Sequence, residues 1–225
     1  MPEHFYKEKL YPLQDIVLEI ISSCQTNFYL TGGTALSRHY LHHRYSDDLD
    51  LFVNNSASFK VDTEKIFNAL KKQFEGLSVS ISDDMYVRLF ITRGDTSLKV
   101  EFVNDVDFHT NGFESSHWFH KIDSWQNILS NKISALSRNE AKDFADILFL
   151  SLKYSFNWEQ IIIDAKEKDM WVNEMEVSKL FSEFDTQRFQ GIKWINLPTI
   201  DAANKLAKIA QDIILGKNNS LRQSS

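Results

Sequence analysis

Residues 47–53 read DDLDLFV, and this stretch limits the fold more tightly than any other. Leu49, Leu51, Phe52 and Val53 mark a β-strand that belongs to a core. Successive strand residues point to opposite faces. Asp48 and Asp50 therefore share one face, and Leu49 and Leu51 share the other. Carboxylates two positions apart lie ~6–7 Å from each other. At that separation they repel by roughly 0.6 kcal/mol in water and about 2.5 kcal/mol at an effective dielectric of 20. A strand that serves only a core gains nothing from this. A divalent cation reverses the sign, and Mg²⁺ takes one or two carboxylates together with substrate phosphates. The competing explanation is a solvated edge strand, since charges protect sheet edges.

The preceding residues sharpen the choice. NFYLT (27–31) reads as a short buried strand, and TALSRHYLHH (34–43) as a helix with Thr34 at its N-cap. Gly32 and Gly33 lie between them. Glycine permits positive φ and lets a phosphate approach the backbone, while a helix start offers free N–H groups and a positive dipole. Gly32, Gly33 and Thr34 are thus candidates for holding a triphosphate, with Asp48 and Asp50 holding the metal bound to it. In SLKVEFVN (97–104), Leu98, Val100 and Phe102 alternate with Lys99 and Glu101. Glu101 therefore projects from the polar face and is the candidate third carboxylate. Asp105 and Asp107 compete for that role, and Asp47 reads as a turn residue. Three carboxylates would suit a two-metal site that clamps the attacking and leaving oxygens of an in-line phosphoryl displacement.

Composition sets the remaining limits. The 225 residues are 43% hydrophobic, with three prolines, seven glycines and a net charge of −6. That is enough apolar material for a sizeable core. The acidic balance gives no general attraction to nucleic acid, so an RNA contact needs a local basic patch. Cys24 is the single cysteine, which points to a reducing compartment. The segment MPEHFYKEKLYPL lacks the apolar centre of a secretory signal, and the longest apolar runs are too short for a bilayer. The expectation is a cytoplasmic protein with no membrane segment. Helical periodicity at 13–24 and 61–74, and strands at 77–81, 86–93 and 97–104 with a Gly94-Asp95 turn, describe the first half. Helices at 124–138, 141–155 and beyond describe the second. The fold class is α+β: a small mixed sheet over residues 1–115 with an N-terminal helix, then a helical region over 116–225.

Two motifs, GGTAL…HRYSDDLDLF and NKISALSRNEAKDFADI, occur in this order on either side of the Glu101 strand. The first resembles the opening motif of DNA polymerase β-type nucleotidyltransferases. Together they resemble the AbiEii/AbiGii toxin family of bacterial abortive-infection and toxin–antitoxin systems. The resemblance implies a polymerase β-like fold and transfer of a nucleoside monophosphate from an NTP, dependent on Mg²⁺ or Mn²⁺. It also implies an RNA acceptor such as the tRNA 3′ end, and a cognate antitoxin as partner. The second motif carries Lys132, Arg138, Lys142, Asp143 and Asp146. The first three are candidate triphosphate ligands, because neutralising charge stabilises a phosphoryl-transfer transition state. Lys142 and Asp146 are four apart and can instead pair with each other. The family departure is Glu101, where many relatives carry Asp.

Arg38, His39, His42, His43 and Arg44 fall between the glycines and the aspartates. A solvated helix face is the first expectation for them, phosphate contact the second and zinc a distant third, since no cysteine accompanies them. The five tryptophans are expected to anchor the core. Two rival functions share these features: a nucleotidyltransferase acting on a small-molecule antibiotic, and a non-catalytic nucleotide-binding module.

Overall fold

The structure, a computed structural model, describes residues 2–222. It forms two compact units. One runs to His39 and resumes over Tyr45–Ser124; the other consists of Tyr40–Arg44 and the chain from Trp125 onward.

The first unit opens with α1 (Pro2–Phe5), a π-helical turn (Tyr6–Leu10) and α2 (Tyr11–Ser23). Strand β1 (Tyr29–Thr31) leads into α3 (Gly32–Ala35), which continues as a π-helical turn, Leu36–Leu41. Then follow β2 (Leu49–Asn54), α4 (Phe59–Gln73), β3 (Gly76–Ser82), β4 (Tyr86–Arg93), β5 (Thr96–Asp105), β6 (Phe113–Glu114) and β7 (Ile122–Asp123). The strands form one mixed sheet in the order β3-β4-β5-β2-β1-β7-β6. The β2–β5 and β1–β7 pairs are parallel, and the other four are antiparallel.

The alternation read from the sequence is the alternation observed. Leu49, Leu51 and Val53 of β2 and Leu98, Val100 and Phe102 of β5 are buried. Their partners on the opposite face, Asp50 and Glu101 among them, are only partly buried. Phe28 joins three elements on the apolar side, with its ring 5.0 Å from Phe102 and 5.9 Å from Phe59 at the start of α4. Gly94 has φ of +61°, and the two-residue turn it forms with Asp95 sets Arg93 opposite Thr96.

The second unit is helical: α5 (Trp125–Ser134), extended by a 3₁₀ turn (Ala135–Arg138), then α6 (Ala141–Lys153), α7 (Trp158–Lys166), α8 (Glu174–Glu183), a 3₁₀ turn (Thr186–Gly191) and α9 (Ala202–Ile214). Asn157, Asn173 and Asp201 each accept a hydrogen bond from the backbone N–H three residues on. These side chains satisfy donors that every helix start leaves open. Phe144 stacks on Phe184 at 4.0 Å and meets Phe181 edge-on at 5.4 Å. Together the two units give the expected mixed α+β architecture, with about half the chain helical. Among the described residues no helix is long and apolar enough to cross a membrane.

Several local expectations are corrected. The helix expected at 34–43 begins at Gly32 and ends at Leu41, so Thr34 lies inside it and Thr31 takes the cap position. The cause is Gly32, whose left-handed φ turns the chain into the helix three residues before a Thr34 cap would. Strands β6 and β7 have two residues each, too short to show periodicity. Of the five tryptophans only Trp158 is fully buried; Trp118, Trp125, Trp171 and Trp194 keep part of their surface exposed. Trp158→Ala should therefore cost about 3–5 kcal/mol in denaturant unfolding. Val79→Thr on the exposed edge strand β3 should stay within roughly 0.5 kcal/mol.

Candidate active site

Sheet register assembles a polar row. Arg88 of β4 lies opposite Glu101 of β5, Glu101 opposite Asp50 of β2, and Asp50 opposite Thr31 of β1. Residues in register on adjacent strands share a face, so four neighbouring strands contribute to one line. Thr31 extends it, its Oγ1 donating to Asp123 Oδ2 on β7 at 2.6 Å. Asp123 is fully buried, and its other oxygen lies 3.0 Å from His109 Nε2.

The glycine pair meets the aspartates directly. Gly32 has φ of +66°, and a Cβ there would overlap Asp50 Oδ2 and lie 3.2 Å from Asp50 Cγ. Both the backbone conformation and the carboxylate thus require a residue without a side chain. Thr34 is buried. Its hydroxyl donates to the Asp48 backbone carbonyl and lies 3.0 Å from Ser46 Oγ. It ties the helix start to the segment that carries Asp48. Gly33 is buried beside it.

Glu101 is enclosed by donors. Tyr86 Oη donates to its Oε1, Arg88 Nε donates to the same oxygen at 2.8 Å, and Lys99 Nζ donates to Oε2 at 2.9 Å. Burial works against its charge, but the Tyr86, Lys99 and Arg88 bonds outweigh burial and bring its pKa down to about 2. At neutral pH such a carboxylate is a weak proton acceptor. Lys99 Nζ also lies 2.9 Å from Asp48 Oδ2, so one ammonium sits between the two carboxylates. Burial lowers the Lys99 pKa, and the Glu101 and Asp48 carboxylates more than restore it, leaving it above the ordinary lysine value. Asp105, opposite Asn54, is four residues along from Glu101, about 13 Å at strand spacing. It takes no part in this row, and Asp107 lies beyond the end of β5.

Asp48 and Asp50 are hard oxygen donors of the kind Mg²⁺ uses, and Mg²⁺ needs only one or two such carboxylates when phosphates complete its shell. The ammonium held at Asp48 indicates that a positive charge is favoured there. These two residues fit a divalent ion. Among the described residues no three His, Cys, Asp or Glu side chains converge to hold one, and Glu101 is occupied as described.

Arg38 is not on a solvated helix face. Its guanidinium lies 4.8 Å from the Tyr11 ring centre and 4.5 Å from that of Trp118, and it donates to Asp15 at 2.6 Å and to Gln14 at 3.2 Å. His39 Nε2 pairs with Glu114 at 2.8 Å. The expectation of a solvated histidine–arginine face is met at His42, which is exposed, and corrected at Arg38, which aromatic rings and Asp15 hold, and at the buried His43 and Arg44.

In the helical unit, Lys132, His43 and Arg44 converge on buried acids. Arg44 grips Asp146 with two bonds of 2.7 Å, His43 Nε2 lies 2.8 Å from Asp146 Oδ1, and Lys132 Nζ lies 2.9 Å from Oδ2. Lys132 also pairs with Asp143 at 2.5 Å, and Arg138 Nη2 reaches the other Asp143 oxygen at 3.1 Å. Burial opposes the charge of Asp146, yet Arg44 and Lys132 hold its pKa well below the usual carboxylate range. Burial is the main reason the His43 pKa falls. The ring is therefore neutral, and it donates through Nε2. Lys142 is exposed and Asp146 is fully buried, so the alternative Lys142–Asp146 pair does not form and Asp146 takes Arg44, His43 and Lys132 instead.

Lys99, Arg88, Tyr86, Thr31 and Asp123 did not figure among the candidates from sequence. Two signals were available. Lys99 is two residues from Glu101 and must share its face. The Gly94-Asp95 turn pairs Arg93 with Thr96, and five further steps pair Arg88 with Glu101.

Two outcomes follow from this geometry. Gly32→Ala should lower stability by about 1–3 kcal/mol, because a left-handed φ and a carboxylate clash coincide; thermal unfolding reads this. Glu101 has a folded pKa depressed from 4.5 to about 2, so its ionic bonds stabilise above pH 4.5 and are lost as pH falls toward 2. The melting-temperature advantage of wild type over Glu101→Gln should shrink across that window.

The family described as "Nucleotidyl transferase AbiEii toxin, Type IV TA system" matches residues 17–190. A solved structure of a candidate nucleotidyltransferase from H. pylori superposes with a TM-score of 0.60 at 18% identity, covering 93% of this chain and 96% of the other. JHP933 from Helicobacter pylori superposes with a TM-score of 0.55 at 20% identity, covering 92% and 90%. Both show a shared fold. A search of curated proteins finds no match.

Proposed function

The chain belongs to the AbiEii nucleotidyltransferase toxin family of type IV toxin–antitoxin systems, and from that premise we propose that it transfers a nucleoside monophosphate from an NTP to a hydroxyl of RNA, the tRNA 3′ end being the preferred acceptor class. The observation that carries this reading is the meeting of Gly32 with the Asp50 carboxylate, which joins a backbone cradle to an acidic pair.

Asp48 and Asp50 are proposed to hold Mg²⁺ or Mn²⁺, which when bound neutralises phosphate charge and orients the reacting oxygens. The backbone of Gly32 and Gly33, at the start of the helix, receives the β- and γ-phosphates. Thr34 holds the Asp48 backbone against that helix start. The acceptor hydroxyl oxygen bonds to the α-phosphorus and loses its proton to solvent as the bond to the bridging oxygen breaks, and pyrophosphate leaves. Glu101 acts by fixing Lys99 and Arg88 beside the reacting phosphates, where their positive charge is most useful in the transition state. Arg138 and Lys142, the exposed cations of the helical motif, are proposed as phosphate contacts. Lys132, enclosed by Asp143 and Asp146, is assigned to holding its own helices together. A cognate antitoxin is the protein partner that family membership implies, and the cytoplasm is the proposed site of action.

The test is to incubate the protein with total RNA, Mg²⁺ and each labelled NTP in turn. Labelled tRNA is expected with at least one NTP. Asp48→Asn and Asp50→Asn should each reduce labelling by ~10²-fold or more while the proteins stay folded. Full labelling by either variant contradicts the metal assignment. Labelling of a small-molecule acceptor, with RNA left unlabelled, contradicts the RNA assignment.

A further inference from the structure

We propose that Lys99 is a tethered counter-cation that keeps Asp48 from a free divalent ion and releases it when the ion arrives with a polyphosphate. The proposal deepens the reading above and rests on Asp48 and Asp50 as the metal-holding pair.

The geometry is that of a shared ammonium. Lys99 Nζ lies 2.9 Å from Asp48 Oδ2 and 2.9 Å from Glu101 Oε2. The two acceptors differ in how firmly they are fixed. Glu101 is 15% exposed and is gripped from the other side by Arg88 and Tyr86. Asp48 is 30% exposed and precedes the first residue of β2. Lys99 can therefore give up Asp48 and keep Glu101, so no buried charge is stranded by the exchange. A lysine suits this role because its charge is compact and its four-carbon stem is flexible.

The charges set the direction of the effect. Asp48, Asp50, Glu101, Lys99 and Arg88 together carry a formal charge of −1, and without Lys99 the other four carry −2. A bare ion must compete with an ammonium already seated at Asp48. An ion bound to a polyphosphate brings its own anion, and the released ammonium then has phosphate oxygens within reach of its stem. One residue thus opposes the metal alone and favours the metal with its nucleotide.

The experiment measures binding by calorimetry, with Mn²⁺ alone and with preformed Mn²⁺–tripolyphosphate, for wild type, Lys99→Met and Asp48→Asn. Tripolyphosphate carries no base, so the preferred NTP need not be known. Lys99→Met is expected to bind Mn²⁺ alone about tenfold tighter and Mn²⁺–tripolyphosphate about tenfold more weakly, each tenfold being ~1.4 kcal/mol. Lys99→Arg should restore the wild-type order. Shifts of the same sign for both ligands, or no shift for either, overturn the proposal. Asp48→Asn separates the two levels. If it weakens Mn²⁺–tripolyphosphate binding while Lys99→Met changes nothing, the metal reading stands and the role of Lys99 falls. If it leaves Mn²⁺–tripolyphosphate binding unchanged, Asp48 is not a ligand and the metal reading itself fails.

Discussion

Two carboxylates face each other across a parallel strand pair, Asp50 on β2 and Glu101 on β5, and the rest of the first unit is arranged around that adjacency. Like charges opposite each other destabilise a sheet. Here Lys99, two residues away on the same strand, and Arg88, opposite across the antiparallel β4–β5 pair, stand beside Glu101. The apolar faces of the same strands, with Leu51 opposite Phe102, hold the register in which the charges meet. A one-residue slip would send the acids into the core and the leucines to the polar side. The register is thus fixed by burial on one face and used for chemistry on the other.

The second determinant is a glycine. Gly32 sits where strand becomes helix, with positive φ and with Asp50 against its α-carbon. Thr31 just before it is anchored to Asp123, and Thr34 just after it is anchored to Asp48 and Ser46. The turn is held on both sides by hydroxyls whose partners lie on other elements. In the helical unit, a separate set of ion pairs does comparable work. Asp146 and Asp143 are fully buried, and each is paired with cations. Arg44 and Lys132 supply them for Asp146, and Lys132 and Arg138 for Asp143. Removing one partner from such a set typically costs 3–5 kcal/mol, because it strands a buried charge. The basic residues of the motif are therefore divided: Lys132 is enclosed, Arg138 pairs with Asp143 while most of its side chain stays exposed, and Lys142 is exposed.

Much of this was legible in the chain. Alternation in residues 47–53 and 97–104 gave the apolar and polar faces of β2 and β5, and the motif pair gave the family. The hairpin turn at Gly94-Asp95 contained the Arg88–Glu101 pairing, because a two-residue turn fixes every later partner. Other features were not legible, for physical reasons. The strands at 113–114 and 122–123 are too short to have a period, so Asp123 could not be placed beside Thr31. His43 and Arg44 read as surface charge, because their partner Asp146 lies about a hundred residues away along the chain. Whether Glu101 meets a metal or a set of donors depends on the Tyr86 and Arg88 side chains, and carboxylate spacing alone does not distinguish these.

The central claim is that the Asp48–Asp50 pair, set against Gly32, is where metal and triphosphate meet. Anomalous diffraction from crystals grown with Mn²⁺ and a non-hydrolysable NTP analogue tests it most directly. The account predicts a manganese peak bonded to the carboxylates of Asp48 and Asp50, with phosphate density over Gly32 and Gly33. A peak bonded to other side chains, or nucleotide density away from the glycine pair, would contradict it.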